Sequence, residues 1–430
     1  MLSSYRRSEG ALSNALHLCT IMSAGLHPTP LAVDTTPKSR IGSVDLIRGA
    51  VMVLMAIDHV RVYSGVPAGG PTPGVFFTRW ITHFCAPAFV FLAGTSIFLY
   101  ARKHAGVSRY LLIRGIWLIF LEFTFLRVAW TFNFDFMHYE MAGVIWVIGC
   151  CMILMAGLVK LPLPVVGTVG VVIIGAHNLM DSHMGKLLDG LDGNPLSAIW
   201  KIFYVGFFAG PIQFGPNGPN LIVLYSIIPW IGVMAAGYAF GKILTLDPAQ
   251  RNRLCLTIGL SAIALFLVLR GFNLYGDPRP WHAAAQGRNG APPMPALLAF
   301  LNTTKYPASL SFLLMTLGPI IALIPPLEGL NGAVARGITV FGRVPLFFYM
   351  LHIPLIHALA LVVSKVRLGF VSPWLFANHP MGNPEPPEGY VWSLPLLYLI
   401  WGITIVLLYP ACRWFAALKA RKSDWWLQYL

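Results

Sequence analysis

The feature that most constrains this chain is a series of apolar segments, each close to the length that crosses a membrane. A helix needs about 20 mainly apolar residues to span the hydrocarbon core of a bilayer, and the 430 residues contain ten such stretches. They lie near residues 44–63, 84–101, 111–130, 142–160, 163–180, 221–243, 254–272, 306–325, 343–364 and 393–414. We therefore predict an all-α fold, a polytopic membrane bundle of about ten transmembrane helices surrounded by lipid.

The composition agrees with a membrane protein and argues against a nucleic-acid-binding one. The chain is 57% hydrophobic and only 11% charged, whereas about a quarter of residues are charged in soluble proteins. The net charge of +14 comes from basic residues that lie between apolar segments and form no basic run or face. We predict no nucleic-acid partner. The six cysteines have no metal-binding or redox spacing, and we predict no metal.

The distribution of Lys and Arg predicts how the chain is oriented. One set of connections carries 18 of these residues and the other carries 11. The positive-inside rule then places both termini in the cytoplasm. Residues 1–40 are expected to be a flexible cytoplasmic tail and residues 41–430 the transmembrane domain. Three long connections, 181–220, 273–305 and 365–392, are predicted to face outward.

The first apolar segment contains most of the candidate chemistry. Even on lenient scales a charged group at the bilayer centre costs about 2.5 kcal/mol, so such residues are candidates for function. Arg48 and His59 are eleven residues apart, or three helical turns, and project from one helix face about 16 Å apart. This face could hold a long anionic donor at its cytosolic end and present the reactive group at its outer end. The alternative is that Arg48 pairs with Asp45 and that His59 only packs.

Two more pairs lie near the predicted depth of His59. Asp58 is within reach of Arg61 at i+3, which favours a structural ion pair. Arg79 and His83, at i and i+4, begin the second segment from the outer side, and both a functional role and an interfacial anchoring role fit them.

Later segments contribute Lys305 and Tyr306 at an outer membrane boundary, and two histidines in one apolar helix. His352 and His357 are five residues apart and do not share a helix face, which argues against a haem or metal pair within that helix.

The polar motifs together resemble a known group. Arg48 and His59 match the Arg-x10-His signature of the integral-membrane acyltransferase superfamily. The bacterial proteins that share the catalytic domain of heparan-alpha-glucosaminide N-acetyltransferase are similar over further motifs, from about residue 40 to the C-terminus. These motifs are Ser43 to Gly49, Asp58-His59, Arg79 to Pro87, Phe91 to Ser96, Lys305 to Pro307, Gly342 to Tyr349 and Ser423 to Trp426.

The resemblance implies a multi-span enzyme of the bacterial inner membrane. Such an enzyme takes acetyl-CoA from the cytosol and acetylates an amine or hydroxyl of a sugar or glycan acceptor on the far side. By the same resemblance His59 is the catalytic histidine and Arg48 its motif partner, with His83 as the alternative histidine. The substrate-binding candidates are Asp58, Arg61, Arg79, Trp80, Lys305, Tyr306 and His352.

The residues leave two chemical routes and two other functions open. Neutral histidine, with an unperturbed pKa near 6.5, suits general-base catalysis by His59, and a transient acyl-histidine is the other route. Arg79, His83 and Lys305 are candidates to stabilise the oxyanion. The competing functions are a transporter or flippase of a polar substrate and a non-enzymatic scaffold or sensor. Homo-oligomerisation also stays open.

Overall fold

The structure is a computed structural model that describes residues 42–69, 72–191, 194–286 and 293–422, together with Asp424 and Leu427. The predicted tail at residues 1–40 lies outside the described residues, as do three of the four residues of the closing Ser423 to Trp426 motif.

The described residues form 17 α-helices joined by short 3-10 and π-helical pieces. The α-helices are α1 Gly42–Ser64, α2 Pro73–Trp80, α3 Cys85–Ala101, α4 Val107–Leu121, α5 Arg127–Thr131, α6 Val144–Leu158, α7 Leu163–Ala176, α8 Asp181–Gly190, α9 Pro195–Trp200, α10 Ile227–Phe240, α11 Pro248–Gly271, α12 Trp281–Ala285, α13 Ala296–Leu301, α14 Leu310–Ala322, α15 Ala333–Arg343, α16 Pro345–Leu368 and α17 Leu394–Arg421. The 3-10 helices are Ile81–Phe84, His177–Met180, Gly206–Ala209, Ile243–Thr245 and Pro373–Phe376, and the π-helices are Glu122–Leu126 and Lys201–Val205.

Six helical segments in the described part of the chain are long and apolar enough to cross a membrane. They are Pro73–Ala101, Leu163–Met184, Ile227–Thr245, Pro248–Gly271, Pro345–Leu368 and Leu394–Arg421. The prediction of an all-α polytopic membrane protein is therefore confirmed. Each of the ten predicted segments overlaps a helix, but not every one of these helices is among the six. Helix α1, which is not among them, carries charged residues at both ends, and α6 and α14 are shorter than the six spanning segments.

Several helices expose large apolar side chains on their outer faces. Ile116 on α4 is 55% exposed, Val171 on α7 is 64% exposed and Leu260 on α11 is 56% exposed. Side chains of this kind rarely cover so much of a soluble surface, but they suit contact with lipid tails.

A small three-stranded sheet joins two connections of the bundle. Its strands are β1 Glu140–Ala142, β2 Ile212–Gln213 and β3 Asn220–Val223. The central strand β3 pairs in parallel with β1 and antiparallel with β2, with Leu221 opposite both Glu140 and Ile212. Because the backbone groups of these strands pair with one another, the connections can adopt a fixed shape beside the helices.

Helix α1 occupies the centre of the bundle and packs against α3, α15, α16 and α17. Its crossing with α15 depends on two glycines. A Cβ added at Gly342 would lie 1.9 Å from the carbonyl oxygen of Asp45, and one added at Gly49 would lie 2.0 Å from that of Ile338. Small residues let two backbones approach this closely in membrane helices. The close packing holds α1, which carries both His59 and Arg48, in a set position.

Candidate functional site

A cavity of about 450 Å³ lies at the C-terminal end of α1, where the first segment was predicted to reach the outer surface. Eight of the ten predicted site residues line it: Asp58, His59, Arg61, Arg79, Trp80, His83, Lys305 and Tyr306. They come from α1, from α2 with the following 3-10 turn, and from the connection between α13 and α14. The fold therefore brings together motifs that are separated by up to about 250 residues of sequence.

The α2 part of the site is shaped by its own sequence. Thr72 caps α2, accepting a hydrogen bond from the backbone nitrogen of Val75, and Pro73 takes the first helical position. After Trp80 the chain tightens into the 3-10 turn Ile81–Phe84, where the Thr82 hydroxyl donates to the carbonyl of Arg79 at 2.7 Å. This turn places the side chain of His83 in the cavity wall.

His59 is the partly exposed histidine of the cavity, and its ring is held on several sides. Its Nδ1 lies 2.6 Å from Nε2 of His352. The Trp130 ring meets the imidazole edge-on at 4.8 Å between centroids, and the Tyr349 ring does so at 6.1 Å. Among the described residues no hydrogen bond engages Nε2 of His59. This leaves one ring nitrogen of a well-positioned histidine free to react.

His83 has a different environment. The residue is only 5% exposed, and neither of its ring nitrogens has a hydrogen-bond partner among the described residues. Its ring contacts Phe312 edge-on at 5.5 Å between centroids. Because buried polar groups are nearly always hydrogen-bonded in folded proteins, these two nitrogens suit a partner other than the described residues, such as a bound ligand.

The cavity carries more positive than negative charge. Its lining includes four cationic side chains, Arg61, Arg79, Arg279 and Lys305, and one carboxylate, Asp58. Asp58 forms the expected ion pair with Arg61, at 2.7 Å between Oδ1 and Nε. An excess of buried cations is costly unless an anion or a developing negative charge balances it.

Lys305 lies among aromatic rings. Its Nζ is 5.2 Å from the centroid of the Tyr306 ring and 5.9 Å from that of Tyr225. Contacts of this kind attract a cation to the negative face of the ring and hold it without a carboxylate. These rings therefore help to position the Lys305 ammonium group in the cavity wall.

Asp277 anchors the connection that carries Lys305. Its carboxylate accepts hydrogen bonds from the backbone nitrogen of Thr304 at 2.9 Å, from the Thr304 hydroxyl at 2.8 Å and from the Ser309 hydroxyl at 3.3 Å. The buried guanidinium of Arg270 lies 3.5 Å from the same carboxylate. These bonds set the position of Lys305 relative to α1.

Arg48 and His352 do not line the cavity. Arg48 lies three helical turns from His59, near the start of α1, where it pairs with Asp45 at 3.0 Å and donates to Ser96 Oγ at 3.1 Å and to the Gly342 carbonyl at 3.3 Å. His352 was predicted to bind substrate, but it is fully buried and lies behind His59. The two histidines contact each other because α16 packs against α1.

His357 is part of the packing. Its ring stacks on Phe132 at 3.8 Å and on Tyr63 at 4.5 Å between centroids, and its Nε2 lies 2.9 Å from the Leu375 carbonyl oxygen. Among the described residues no three His, Cys, Asp or Glu side chains come together as metal ligands.

The sequence did not identify four further residues of the cavity wall, Trp130, Tyr225, Arg279 and Tyr349. The only sequence feature that pointed to Arg279 is its position in a predicted outward connection. The three aromatic residues looked like ordinary interfacial or core residues, and nothing in their local pattern separates them from the other aromatics.

The fold and the site define the class of protein. An apolar helix bundle encloses a polar, cationic cavity built around a histidine, which is the arrangement of a polytopic membrane protein with an internal site for a polar ligand.

Comparison with known families then identifies the chain more closely. Residues 40–275 match the family described as heparan-alpha-glucosaminide N-acetyltransferase, catalytic. Because the match covers more than half of the 430 residues, the chain belongs to this family, and its membership implies an acyltransferase of the transmembrane acetyltransferase type. The resemblance predicted from the motifs is confirmed over this range. None of the curated proteins matches the chain. Lys305, Tyr306 and His352 lie beyond the matched residues.

Proposed function

We propose that this protein transfers an acetyl group from cytosolic acetyl-CoA to an amine or hydroxyl of a sugar or glycan on the extracytoplasmic side of a bacterial inner membrane. The observation that carries the proposal is the position of His59, which presents a free ring nitrogen to a cavity rich in cations. Family membership supplies the reaction class. The Lys and Arg distribution supplies the sidedness.

In the proposed reaction His59 acts as a general base. Its Nε2 takes the proton of the acceptor N–H or O–H group while the acceptor nitrogen or oxygen bonds to the thioester carbonyl carbon. The carbonyl oxygen becomes an oxyanion, which Arg79, Lys305 or His83 stabilises from the cavity wall. The carbon–sulfur bond then breaks with its electron pair on sulfur, and the proton on His59 passes to the CoA thiolate.

An acyl-histidine route would use the same nitrogen as the nucleophile. In that route Nε2 bonds to the acyl carbon and CoA leaves as the thiolate. The acceptor nitrogen or oxygen then bonds to the acyl carbon, the bond to Nε2 breaks with its electron pair on that nitrogen, and the acceptor proton passes to the CoA thiolate. Rapid denaturation at neutral pH, after mixing the enzyme with radiolabelled acetyl-CoA and no acceptor, separates the routes, since an N-acylimidazole hydrolyses rapidly in acid. Label bound to protein and absent from a His59 variant supports the acyl-histidine, and no bound label supports the general base.

The topology we propose has ten membrane crossings and both termini in the cytoplasm. The start of α1 then faces the cytosol, and the cavity at its far end faces outward. Arg48 would lie on the cytosolic side of the path and contact the anionic part of the donor, about 16 Å from His59. The length of the CoA pantetheine arm suits such a separation between the phosphates and the thioester.

The experiment that tests the proposal measures free thiol released from acetyl-CoA by purified, solubilised protein against a panel of amino sugars and glycans. We expect acceptor-dependent release that falls by about 10²- to 10⁴-fold in His59→Gln, the usual contribution of a general base. His138→Gln is the matched control, because the His138 side chain is 79% exposed and lies outside the cavity. Full activity in His59→Gln would contradict the proposed role.

The same preparation addresses the transporter alternative. Protein reconstituted in vesicles that accumulates or releases a polar solute without consuming thioester would be a transporter or flippase and not an acyltransferase.

A further inference from the structure

His352 has no role in the reaction outlined above, although it makes the closest polar contact to His59. The residue is fully buried on α16 and absent from the cavity wall. Its Nδ1 lies 2.7 Å from the carbonyl oxygen of Tyr349 and 3.1 Å from that of Phe348. Its Nε2 lies 2.6 Å from Nδ1 of His59. The polar contacts of His352 thus form a chain that runs from the α16 backbone to the cavity.

The backbone carbonyls determine which nitrogen of His352 carries the proton. A carbonyl oxygen can only accept a hydrogen bond, so Nδ1 of His352 must be the donor to Tyr349 and Phe348. An unprotonated Nδ1 would set a lone pair against two carbonyl oxygens in a fully buried position, which is costly. In neutral His352 the proton is therefore on Nδ1 and Nε2 is an acceptor.

If His352 were positively charged, Nε2 would carry a proton and would be a donor instead of an acceptor. The surroundings of the ring disfavour this charged form. The ring is fully buried beside Phe348 and Tyr349, and no described carboxylate forms an ion pair with it. Burying an unpaired charge is costly even after the surroundings relax. The neutral form is the one that the site accommodates.

We infer that His352 is a positioning residue that holds His59 in the tautomer with its proton on Nδ1. The 2.6 Å contact needs one donor, and since Nε2 of His352 is the acceptor, Nδ1 of His59 must donate. Nε2 of His59 is then unprotonated in the resting protein.

The consequence for catalysis rests on the proposed function. A general base must present a lone pair to the substrate, and this chain of hydrogen bonds leaves that lone pair on Nε2, the nitrogen without a partner among the described residues. When His59 takes a proton, Nδ1–H still donates to His352, which helps to stabilise the imidazolium. An orienting partner has this effect on the base in other histidine-dependent enzymes.

The direct test is solid-state NMR, which measures the tautomer of His59 and requires no enzymatic activity. The protein is labelled with nitrogen-15 histidine in lipid bilayers, and the His59 signals are assigned by their loss in His59→Gln. We expect a protonated Nδ1 and an unprotonated Nε2 for His59, with a coupling across the hydrogen bond to His352. A His59 that carries its proton on Nε2, or on both nitrogens, would overturn the inference. Neither result depends on whether the chain is an acyltransferase, so failure here is distinct from failure of the proposed function.

Variants of His352 test the same inference through two readouts. In His352→Leu the acceptor is lost, and we expect His59 to shift toward the Nε2–H tautomer with a 10²- to 10⁴-fold lower kcat. His352→Gln can place Oε1 near the former Nε2 and should recover about tenfold of this loss, the size of one hydrogen bond.

His357→Leu is the matched control, because His357 is equally buried on the same helix and also contacts backbone carbonyls. It should lower stability and leave the His59 tautomer unchanged. A His59 tautomer that is the same in wild type and in folded His352→Leu would contradict the positioning role.

Discussion

At the scale of single residues, the two candidate histidines differ in their hydrogen bonding. His59 is hydrogen-bonded through Nδ1 and partly exposed, whereas His83 is buried and neither of its ring nitrogens has a partner in the part of the chain that the structure describes. A general base needs an orienting partner and access to the substrate, and His59 has both. His83 has the features of a residue that contacts a ligand, which makes it a candidate for oxyanion or acceptor binding.

This difference leads to a prediction for His83→Leu. The His83 ring has no hydrogen-bond partner among the residues that the structure describes, so its removal leaves none of their polar groups unsatisfied. The free energy of unfolding should therefore change by less than about 1 kcal/mol. If His83 contacts the substrate, kcat/KM for acyl transfer should fall by at least about tenfold. Thermal melting and thiol release on the same sample measure the two effects. A lower melting temperature with unchanged kcat/KM would mean that His83 only packs.

At the scale of elements, the crossing of α1 and α15 holds α1, the helix that carries His59, in place. The backbones meet at Gly342 and Asp45 so closely that even one methyl group does not fit. Arg48 donates to the Gly342 carbonyl at the same crossing. Movement of α15 would therefore disturb both ends of α1, the Arg48 end directly and the His59 end through the rigid helix.

Gly342→Ala should accordingly destabilise the fold. The added Cβ would lie 1.9 Å from the carbonyl oxygen of Asp45, and overpacking of this kind costs about 1–3 kcal/mol. Gly337→Ala on the same helix is the control, because its nearest neighbour would be a Tyr409 ring carbon at 4.0 Å. Alanine there should be neutral or stabilise by up to about 1 kcal/mol. Thermal unfolding in one detergent compares the two, and equal melting temperatures would contradict the packing argument.

At the scale of the whole molecule, all three predicted outward connections contribute to the cavity. Phe207 and Phe208 come from the first, Arg279 and Lys305 from the second, and Met381 from the third. Loops on a rigid scaffold commonly carry specificity. If the proposed function is correct, residues from all three connections would select the acceptor, and α1 would supply the reacting histidine.

The proposed topology makes a labelling prediction at this scale. Glu388, in the third connection, and Arg253, near the start of α11, are both exposed. Glu388→Cys should react with a membrane-impermeant maleimide in intact cells, and Arg253→Cys only after the cells are opened. The unsubstituted protein provides the blank, since its five described cysteines are buried or half-buried. Labelling of Arg253→Cys in intact cells would contradict the proposed sidedness.

Much of the architecture could be predicted from the sequence because its causes are local. The hydrocarbon thickness sets the length of an apolar helix, so ten apolar runs predicted helices that the structure contains. The spacing of Arg48 and His59 follows from helix geometry alone. Several motifs were specific enough to indicate a family, and the family implied the reaction class. The family match confirms this resemblance over residues 40–275.

The tertiary structure decided which side chains meet. His59 and His352 are 293 residues apart, and only the packing of α16 on α1 brings Nδ1 of His59 within 2.6 Å of Nε2 of His352. The sequence predicted His352 as a substrate-binding residue and gave no sign of its contact with His59, since the residues around a histidine in an apolar helix do not indicate its partner on another helix. The contact between His352 and His59 depends on the backbone carbonyls that bond to His352 and on the alignment of α16 with α1. No local sequence pattern encodes a distance between two helices.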